Sequence, residues 1–342
     1  MNRIRLAVVG AGKLGGYHAN LAARSNEFEL VAVVDSHSAA AVALAERVGA
    51  RACKDLSGVL DRVDAAVLAT PTSTHAALGR TLLDAGKHVL VEKPIALTCL
   101  EADRLVDAAA REGVVLQVGH VERFSPALAA AGDTLHAPRY VQATRASGYT
   151  FRSIDIGVVL DLMIHDIDLV LSLARSPVVR VDALGVSVLG GHEDMANARL
   201  TFSNGCVADL TASRVSYQPE RSMRVVTPRG FVALDFAAGA ATTVAPTADV
   251  LAGRFDADAF SAEQKQQLFA GKLFDEVLVK QQRTAPAVNA IELELEDFAN
   301  SIRTGQPPRV TGAAARDAVA VAERVLAAIA ERSAAPAAAR AA

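Results

Sequence analysis

The chain has 342 residues, of which 35 are basic and 38 acidic, so its formal net charge is -3, and 51% of its residues are hydrophobic. This length suggests two domains with a sizeable core. The near-balanced charge argues against a nucleic-acid partner, which would require a basic surface. The three cysteines, Cys53, Cys99 and Cys206, are odd in number and lack metal-ligand spacing, so we expect a reducing compartment and no metal site.

A membrane span is not expected, because no stretch reaches about 18 consecutive apolar residues. The most apolar helix candidate, near residues 157–174, is interrupted by acidic residues and a histidine. No long apolar signal region precedes the first strand pattern. We therefore predict a soluble, cytoplasmic protein without membrane association.

Short apolar runs alternate with helical patterns over the first 120 residues. The runs are rich in valine and leucine and show no polar alternation, which is typical of strands buried on both faces of a parallel sheet. They are Ile4–Val9, Leu30–Val34, Ala65–Ala69, His88–Val91 and Val114–Val118. The repeated strand–helix–strand units predict a doubly wound α/β domain over residues 1–120.

The pattern changes beyond Gly119, where a helix after Ser125-Pro126 and a long helix near 157–174 are followed by β-hairpins. Asn204-Gly205 separates two apolar runs, and this dipeptide is the strongest short hairpin signal. We predict an α+β domain over residues 121–332, built on a largely antiparallel sheet and closed by two helices. The alanine-rich tail, residues 333–342, is expected to be disordered.

A glycine-rich turn, Gly10-Ala11-Gly12-Lys13-Leu14-Gly15, follows the first strand and opens a helix. The first glycine permits the tight turn, the second lets the backbone approach a pyrophosphate, and the third lets helix and strand pack closely. The helix N-terminus then faces the phosphates with free N–H groups. The pattern predicts a Rossmann domain with cofactor contacts from Gly10, Gly12, Lys13, Leu14 and Gly15.

Asp35 ends the second strand about 20 residues beyond the turn, where the dinucleotide fingerprint places an acid. Its carboxylate would accept hydrogen bonds from the adenine ribose hydroxyls and repel a 2′-phosphate, which favours NAD over NADP. Loops at the carboxyl ends of parallel strands line the ligand crevice. We therefore also expect cofactor contacts from Thr70, Pro71 and His75, although ordinary turn and capping chemistry would explain Thr70 and His75 as well.

Glu92-Lys93-Pro94 ends the fourth apolar run at the same edge of the sheet. We expect Glu92 and Lys93 to contact the cofactor. An ammonium at Lys93 can also hydrogen-bond a substrate hydroxyl and stabilise alkoxide charge. A solvated lysine at a strand end is the alternative.

Asp161 and His165 are four residues apart on the long helix and so share one face. The helix is otherwise apolar, and polar groups on such a helix must be paired or functional. His165 suits a general base near neutral pH, and Asp161 can orient it or hold a substrate hydroxyl. An internal Asp–His pair with no function is the alternative. Asp168 lies near the same face, and Asp166 points elsewhere.

Together these motifs resemble the glucose–fructose oxidoreductase / inositol dehydrogenase (Gfo/Idh/MocA) family, with Glu92-Lys93-Pro94 as its Glu-Lys-Pro motif and Asp161-x-x-x-His165 as its Asp-x-x-x-His motif. The resemblance implies an NAD-dependent sugar dehydrogenase in which Lys93 and His165 assist removal of the hydroxyl proton and Asp161 supports them. It also implies a homodimer or homotetramer formed through the C-terminal sheet.

Two longer segments, 118–126 and 155–168, resemble the branch that oxidises the 3-hydroxyl of UDP-N-acetylglucosamine for a partner aminotransferase, in lipid A or polysaccharide synthesis. Ser125 stands where this branch would have Asn. Substrate contacts are expected from Lys93, Asp161, His165, His120, Arg123 and Arg152, since arginine suits a diphosphate. A surface salt bridge is the alternative for each arginine. A dehydrogenase of free cyclitols or aldoses, and a non-enzymatic NAD or sugar sensor, remain the other hypotheses.

Overall fold

The computed structural model describes residues 2–151, 155–286 and 288–334. The chain divides into two compact units. The first comprises Met1–Phe124, Phe151–Asp168 and Val288–Leu326, and the second comprises Ser125–Thr150, Leu169–Ala287 and the chain from Ala327 onward. Of the predicted tail, Ser333 and Ala334 continue the last helix, and residues 335–342 lie outside the described part.

This division differs from the contiguous one suggested by the sequence, because two later segments join the N-terminal unit. The reason is apolar packing: Leu295, Phe298 and Ala299 are buried in the same core cluster as Leu6 and Val8 of the first strand. Changes of pattern along the sequence do not reveal that a later segment packs onto the first domain. The assignment of cofactor binding to one domain and of substrate binding and assembly to the other stays a prediction.

The first unit contains a six-stranded parallel sheet. Its strands are β1 (Ile4–Val9), β2 (Phe28–Val34), β3 (Arg51–Cys53), β4 (Ala65–Leu68), β5 (His88–Glu92) and β6 (Leu116–Gly119). Their order is β3-β2-β1-β4-β5-β6, the arrangement of the dinucleotide-binding fold, so the predicted α/β architecture is confirmed. The short strand β3 was not predicted, because three residues at the sheet edge carry too little hydrophobic pattern.

Helices connect the strands. They are α1 (Lys13–Arg24), α2 (Ser38–Val48), α3 (His75–Asp84) and α4 (Cys99–Glu112). The register pairs Val9 of β1 with Leu68 of β4, and Glu92 of β5 with Gly119 of β6. The carboxyl ends of these four strands therefore meet at one edge, which is where the polar motifs of the sequence begin.

The second unit contains an eight-stranded sheet. Its strands are β7 (Tyr140–Ala146), β8 (Val178–Val186), β9 (Met195–Phe202), β10 (Val207–Ser213), β11 (Glu220–Thr227), β12 (Gly230–Asp235), β13 (Ala240–Pro246) and β14 (Leu278–Thr284). The order is β14-β13-β12-β11-β7-β10-β9-β8, and all neighbours are antiparallel except β7 and β10. The largely antiparallel sheet is thus confirmed, and Gly205 makes the β9–β10 turn with φ 83°.

The remaining helices are α5 (Pro126–Ala131), α6 (Ile164–Ala174), α7 (Ala248–Leu251), α8 (Ala262–Gln267), α9 (Ala290–Thr304) and α10 (Gly312–Ala334). One π-helical turn, Val159–Met163, leads into α6, and a π-helical segment, Leu268–Val277, follows α8. Within the described ranges, no helix is both long enough and apolar enough to cross a membrane.

Candidate active site

The glycine turn after β1 has the shape that a dinucleotide pyrophosphate requires. Gly10 adopts φ 103°, and a Cβ there would lie 2.4 Å from the Ala69 carbonyl oxygen. A Cβ on Gly15 would lie 1.8 Å from the Gly10 oxygen. A Cβ on Gly12 would have no described atom within 4 Å apart from its own chain neighbours, and this exposed residue is the N-cap of α1 without a side-chain cap. The turn therefore leaves room and helix N–H groups for phosphate at Gly12.

Asp35 lies beside this turn and holds it in place. Its Oδ2 accepts a hydrogen bond from the Ala11 N–H at 2.7 Å, and its Oδ1 accepts one from the His37 N–H at 2.8 Å. Each carboxylate oxygen retains a further lone pair for a ribose hydroxyl. The structural contact with Ala11 was not foreseen from the sequence. Lys13 and Leu14 are exposed at the start of α1.

His75 connects two loops at the strand ends. Its Nδ1 lies 2.9 Å from the Pro94 carbonyl oxygen, and its Nε2 lies 2.9 Å from the Thr70 carbonyl oxygen. Burial lowers the pKa of His75, although both carbonyl contacts work in the opposite direction. The ring thus braces the turn of Thr70 and Pro71 against the loop after β5. Whether these three residues also contact cofactor stays a prediction.

Lys93 and Asp161 meet at the end of β5. The Lys93 Nζ donates to the Asp161 main-chain oxygen at 2.6 Å and to its Oδ1 at 3.1 Å. The two side chains keep 14% and 20% of their surface exposed, so the pair is accessible to a small molecule. The alternative of a fully solvated Lys93 does not fit this geometry.

The π-helical turn shapes the backbone at Asp161. The N–H of Ile164 donates to the oxygen of Val159, five residues earlier, and such turns occur frequently at functional sites. The sequence predicts one continuous helix here and gives no sign of this widening. His165 lies half-buried in the first turn of α6, four residues beyond Asp161.

The imidazole ring of His120 lies beside that of His165. The ring centroids lie 6.0 Å apart in an edge-to-face arrangement, at an interplanar angle of 88°. His120 is 1% exposed, and neither ring nitrogen has a hydrogen-bond partner among the described residues. Burial lowers the pKa of His120, with Asp168 opposing this effect. A neutral imidazole with two unused nitrogens is suited to hold a hydroxyl group.

Arg123 is held by an ion pair. Its Nε and Nη2 donate to the two carboxylate oxygens of Asp168 at 2.6 and 3.1 Å, and Asp168 is 1% exposed. Asp168 therefore pairs with Arg123, a partnership that the sequence did not reveal. Arg152, the other predicted arginine contact, lies outside the described residues. Ser125 caps α5 through a bond from the Ala127 N–H at 3.3 Å.

Glu92 is buried and makes its contact inward. Its Oε1 lies 2.8 Å from the Nε2 of His18 on α1. Glu294 of α9 completes a cluster in which one polar atom from each of the three side chains lies within 4.8 Å of those of the other two. Sequence reasoning missed His18 and Glu294. His18 lies one helical turn beyond Gly15, which is a signal that could have been used, whereas Glu294 has no motif around it.

The chain matches two family models: the oxidoreductase family with NAD-binding Rossmann fold over residues 4–120, and the GFO/IDH/MocA C-terminal domain over residues 133–233. It is 35% identical to UDP-N-acetylglucosamine 3-dehydrogenase of Acidithiobacillus ferrooxidans, over 96% of this chain and 98% of the relative. It is 32% identical to inositol 2-dehydrogenase of Rubrobacter xylanophilus, over 70% and 73%.

A solved structure of the Acidithiobacillus ferrooxidans enzyme superposes with a TM-score of 0.83 at 34% identity, covering 96% of this chain and 98% of that one. Together with the glycine turn and the Lys93–Asp161 contact, this similarity supports both the cofactor and the reaction class. The chain belongs to the Gfo/Idh/MocA family of NAD-dependent oxidoreductases.

Proposed function

We propose that the protein oxidises the 3-hydroxyl of UDP-N-acetylglucosamine to the 3-keto sugar. The observation that carries the chemistry is the Lys93 ammonium held on Asp161 at the strand edge that also presents the glycine turn. The identity of the sugar rests on the 35% identical relative, which covers nearly the whole chain.

The cofactor would be held by the glycine turn through its pyrophosphate and by Asp35 through its ribose hydroxyls. Thr70, Pro71 and the turn at Glu92-Lys93 would line the nicotinamide side. When bound, NAD supplies a hydride acceptor. The buried surroundings of His120 and the half-buried Lys93 would keep bulk water away from the reacting carbon.

His165 would accept the proton of the substrate hydroxyl while a hydride leaves the carbon that bears this hydroxyl. Lys93 would donate a hydrogen bond to that oxygen, because the ammonium stabilises negative charge as the O–H bond breaks. Asp161 would hold Lys93 in place. One hydride and one proton leave the alcohol, which balances its conversion to a ketone.

His120 and Arg123 would bind the rest of the sugar nucleotide. His120 offers a neutral ring to a sugar hydroxyl. In Arg123 the ion pair occupies Nε and Nη2, which leaves Nη1 as the donor for a phosphate oxygen. Arg152 would add a second phosphate contact.

The test mixes the purified protein with NAD and UDP-N-acetylglucosamine and follows nicotinamide absorbance, with an aminotransferase present to remove the keto product. We expect NADH together with a sugar product identified by mass, which is the 3-keto sugar without the aminotransferase and the 3-amino sugar with it. Absence of both, even with the aminotransferase, would overturn the proposal.

A free-cyclitol dehydrogenase is the second candidate, which the 32% identical inositol 2-dehydrogenase supports. A panel of UDP-sugars, inositols and glucose decides between the two. A much higher kcat/KM for a free polyol than for any nucleotide sugar would favour this candidate.

We further propose that the protein works in the cytoplasm as a homodimer or homotetramer assembled through the C-terminal sheet, and that its product passes to an aminotransferase in lipid A or polysaccharide synthesis. Exposed apolar side chains at the sheet edge, Val179 and Val186 on β8, are consistent with such an interface. Light scattering would measure the assembly, and a monomer at micromolar concentration would contradict it.

A further inference from the structure

A buried cluster that the proposed chemistry does not use lies at the end of β5, next to Lys93. His18 of α1, Glu92 at the end of β5 and Glu294 of α9 are 0%, 8% and 1% exposed. One polar side-chain atom of each residue lies within 4.8 Å of one such atom of the other two. Both carboxyl oxygens of Glu294 and the Nδ1 of His18 have no hydrogen-bond partner in the part of the chain that is described.

The spacing within the cluster favours hydrogen bonding over metal binding. Two ligands of a tetrahedral zinc ion, with bonds of about 2.0–2.1 Å, are roughly 3.3 Å apart. His18 Nε2 and Glu92 Oε1 are 2.8 Å apart, which is the distance of a charge-assisted hydrogen bond.

The charges of the cluster cannot all be present at once. Two ionised carboxylates in a dry interior are costly unless a proton or a cation compensates them. Burial, the neighbouring Glu92 and Asp297 on the same helix raise the pKa of Glu294 well above its ordinary value. Burial also tends to raise the pKa of Glu92. The hydrogen bond from His18 and the positive charges of His18 and Lys93 act in the opposite direction, and the net effect is a lowered pKa. These opposite directions favour a neutral Glu294 beside an ionised Glu92.

The cluster joins the two parts of the site that must be aligned. His18 belongs to the helix whose first residues carry the glycine turn, and Glu92 immediately precedes Lys93. Gly119 packs closely against the Glu92 carboxylate, since a Cβ on Gly119 would lie 2.9 Å from Glu92 Oε2. Gln117 of β6 holds α9 by donating to the Glu294 main-chain oxygen at 2.9 Å.

We propose that His18, Glu92 and protonated Glu294 form a buried positioning triad that fixes the Lys93 turn relative to the cofactor helix α1. Glu294 supplies the proton that lets two carboxyl groups share this interior. The three side chains face the interior and act through Lys93, whereas the predicted cofactor contact of Glu92 would come from the main chain of its turn. This inference rests on the proposed role of Lys93 in turnover.

The first arm of the test detects the proton on Glu294 without any turnover. Infrared spectra of the whole protein at neutral pH should contain the carbonyl band of a buried protonated carboxyl group, which moves in D2O and disappears in Glu294→Gln. In Glu92→Gln the band should shift, because Glu294 loses its ionised neighbour. A missing band, a band that survives Glu294→Gln, or one bound transition metal per chain by elemental analysis would overturn the triad.

The second arm separates positioning from general stability. Glu92→Gln keeps the shape but removes the charge that binds His18, so we expect kcat to fall about tenfold or more, whereas the Kd for NAD changes less than about threefold. Glu46→Gln, an exposed glutamate on α2, is the matched control with unchanged kcat. If the Kd for NAD rises by the same factor as kcat falls, and the melting temperature drops as well, the positioning role would be overturned. Failure of the sugar assay in wild type would leave the infrared result standing and would count against the proposed function alone.

Discussion

The ammonium of Lys93 contacts Asp161 twice, at its main-chain oxygen and at its carboxylate, although 68 residues separate the two in the chain. The shorter contact, 2.6 Å, is to the main chain and does not depend on the side chain at position 161. The helix backbone itself therefore sets the position of the lysine, and the carboxylate adds charge.

Replacing Lys93 should remove turnover and leave cofactor binding in place. In Lys93→Ala we expect kcat to fall by about 10²–10³-fold, the usual cost of losing one donor to a developing oxyanion. NAD affinity, measured by calorimetry, should stay within a few-fold of wild type. Lys54→Ala, at an exposed position, is the control. Unchanged cellular function in Lys93→Ala would support a sensing role instead.

Asp161→Asn should have a smaller effect than Lys93→Ala. The main-chain contact to Lys93 persists, and the side-chain contact changes from an ion pair to a weaker bond between the ammonium and a neutral amide oxygen. We expect kcat to fall about tenfold, equivalent to about 1.4 kcal/mol. Steady-state kinetics with both variants measures the difference. A loss as large as that of Lys93→Ala would mean that the carboxylate, not the backbone, holds the lysine.

Two glycines of the cofactor turn should respond differently to the same change. Gly15→Ala forces a Cβ against the Gly10 oxygen, so we expect destabilisation of about 1–3 kcal/mol or more. Gly12→Ala has room for its methyl group, so its free energy of unfolding should equal that of wild type. The methyl group lies on the side where the pyrophosphate would bind, so the Kd for NAD should rise about tenfold or more. Urea unfolding and calorimetry distinguish the two. Normal NAD affinity in Gly12→Ala would contradict the assigned phosphate position.

Asp35→Ser should relax the preference for NAD over NADP. The change removes the charge that repels a 2′-phosphate and weakens the bond from the Ala11 N–H. Dissociation constants for both cofactors should therefore converge, with the Kd for NAD rising about tenfold. Asp61→Ser, an exposed aspartate, is the control. Tighter NAD selectivity in Asp35→Ser would refute the ribose role.

Glu294 should make the stability of the protein fall as the pH rises. Its pKa is raised by burial in the folded chain, whereas the unfolded value is the ordinary 4.5. The contribution is fully present below that value and is lost towards the folded pKa, by up to about 1.4 kcal/mol per pH unit. Glu294→Gln lacks this titration, so its stability relative to wild type should increase from about pH 5 to about pH 8. Urea unfolding at both pH values measures this, and a constant difference would mean that Glu294 titrates normally.

The pattern of apolar runs predicted five of the six strands of the first sheet and the largely antiparallel second sheet, because long periodic elements carry their own signal. The three-residue β3 lacked that signal. The helix near 157–174 was predicted as one element, whereas its first turn is π-helical. The sequence does not show this difference, because the spacing of hydrophobic residues does not reveal whether an N–H bonds to the carbonyl four or five residues earlier.

The cofactor turn was determined by the sequence itself. Gly10, Gly12 and Gly15 lie within six residues of one strand–helix connection, and the close approach of Gly15 to the Gly10 oxygen is local, whereas the limit on a side chain at Gly10 comes from Ala69 at the end of another strand. The chemistry of Lys93 and Asp161 was also visible as residue types and motifs. Their contact was not, because it depends on how a strand end and a later helix pack.

Only the tertiary structure brought His18, Glu92 and Glu294 together, from three elements spread over most of the chain. Neither the raised pKa of Glu294 nor the ion pair between Arg123 and Asp168 could be predicted from residue spacing, because burial and partner choice are properties of the packed interior. Local conformation and residue chemistry could thus be predicted from the sequence. Which charges share a dry site was decided by the fold.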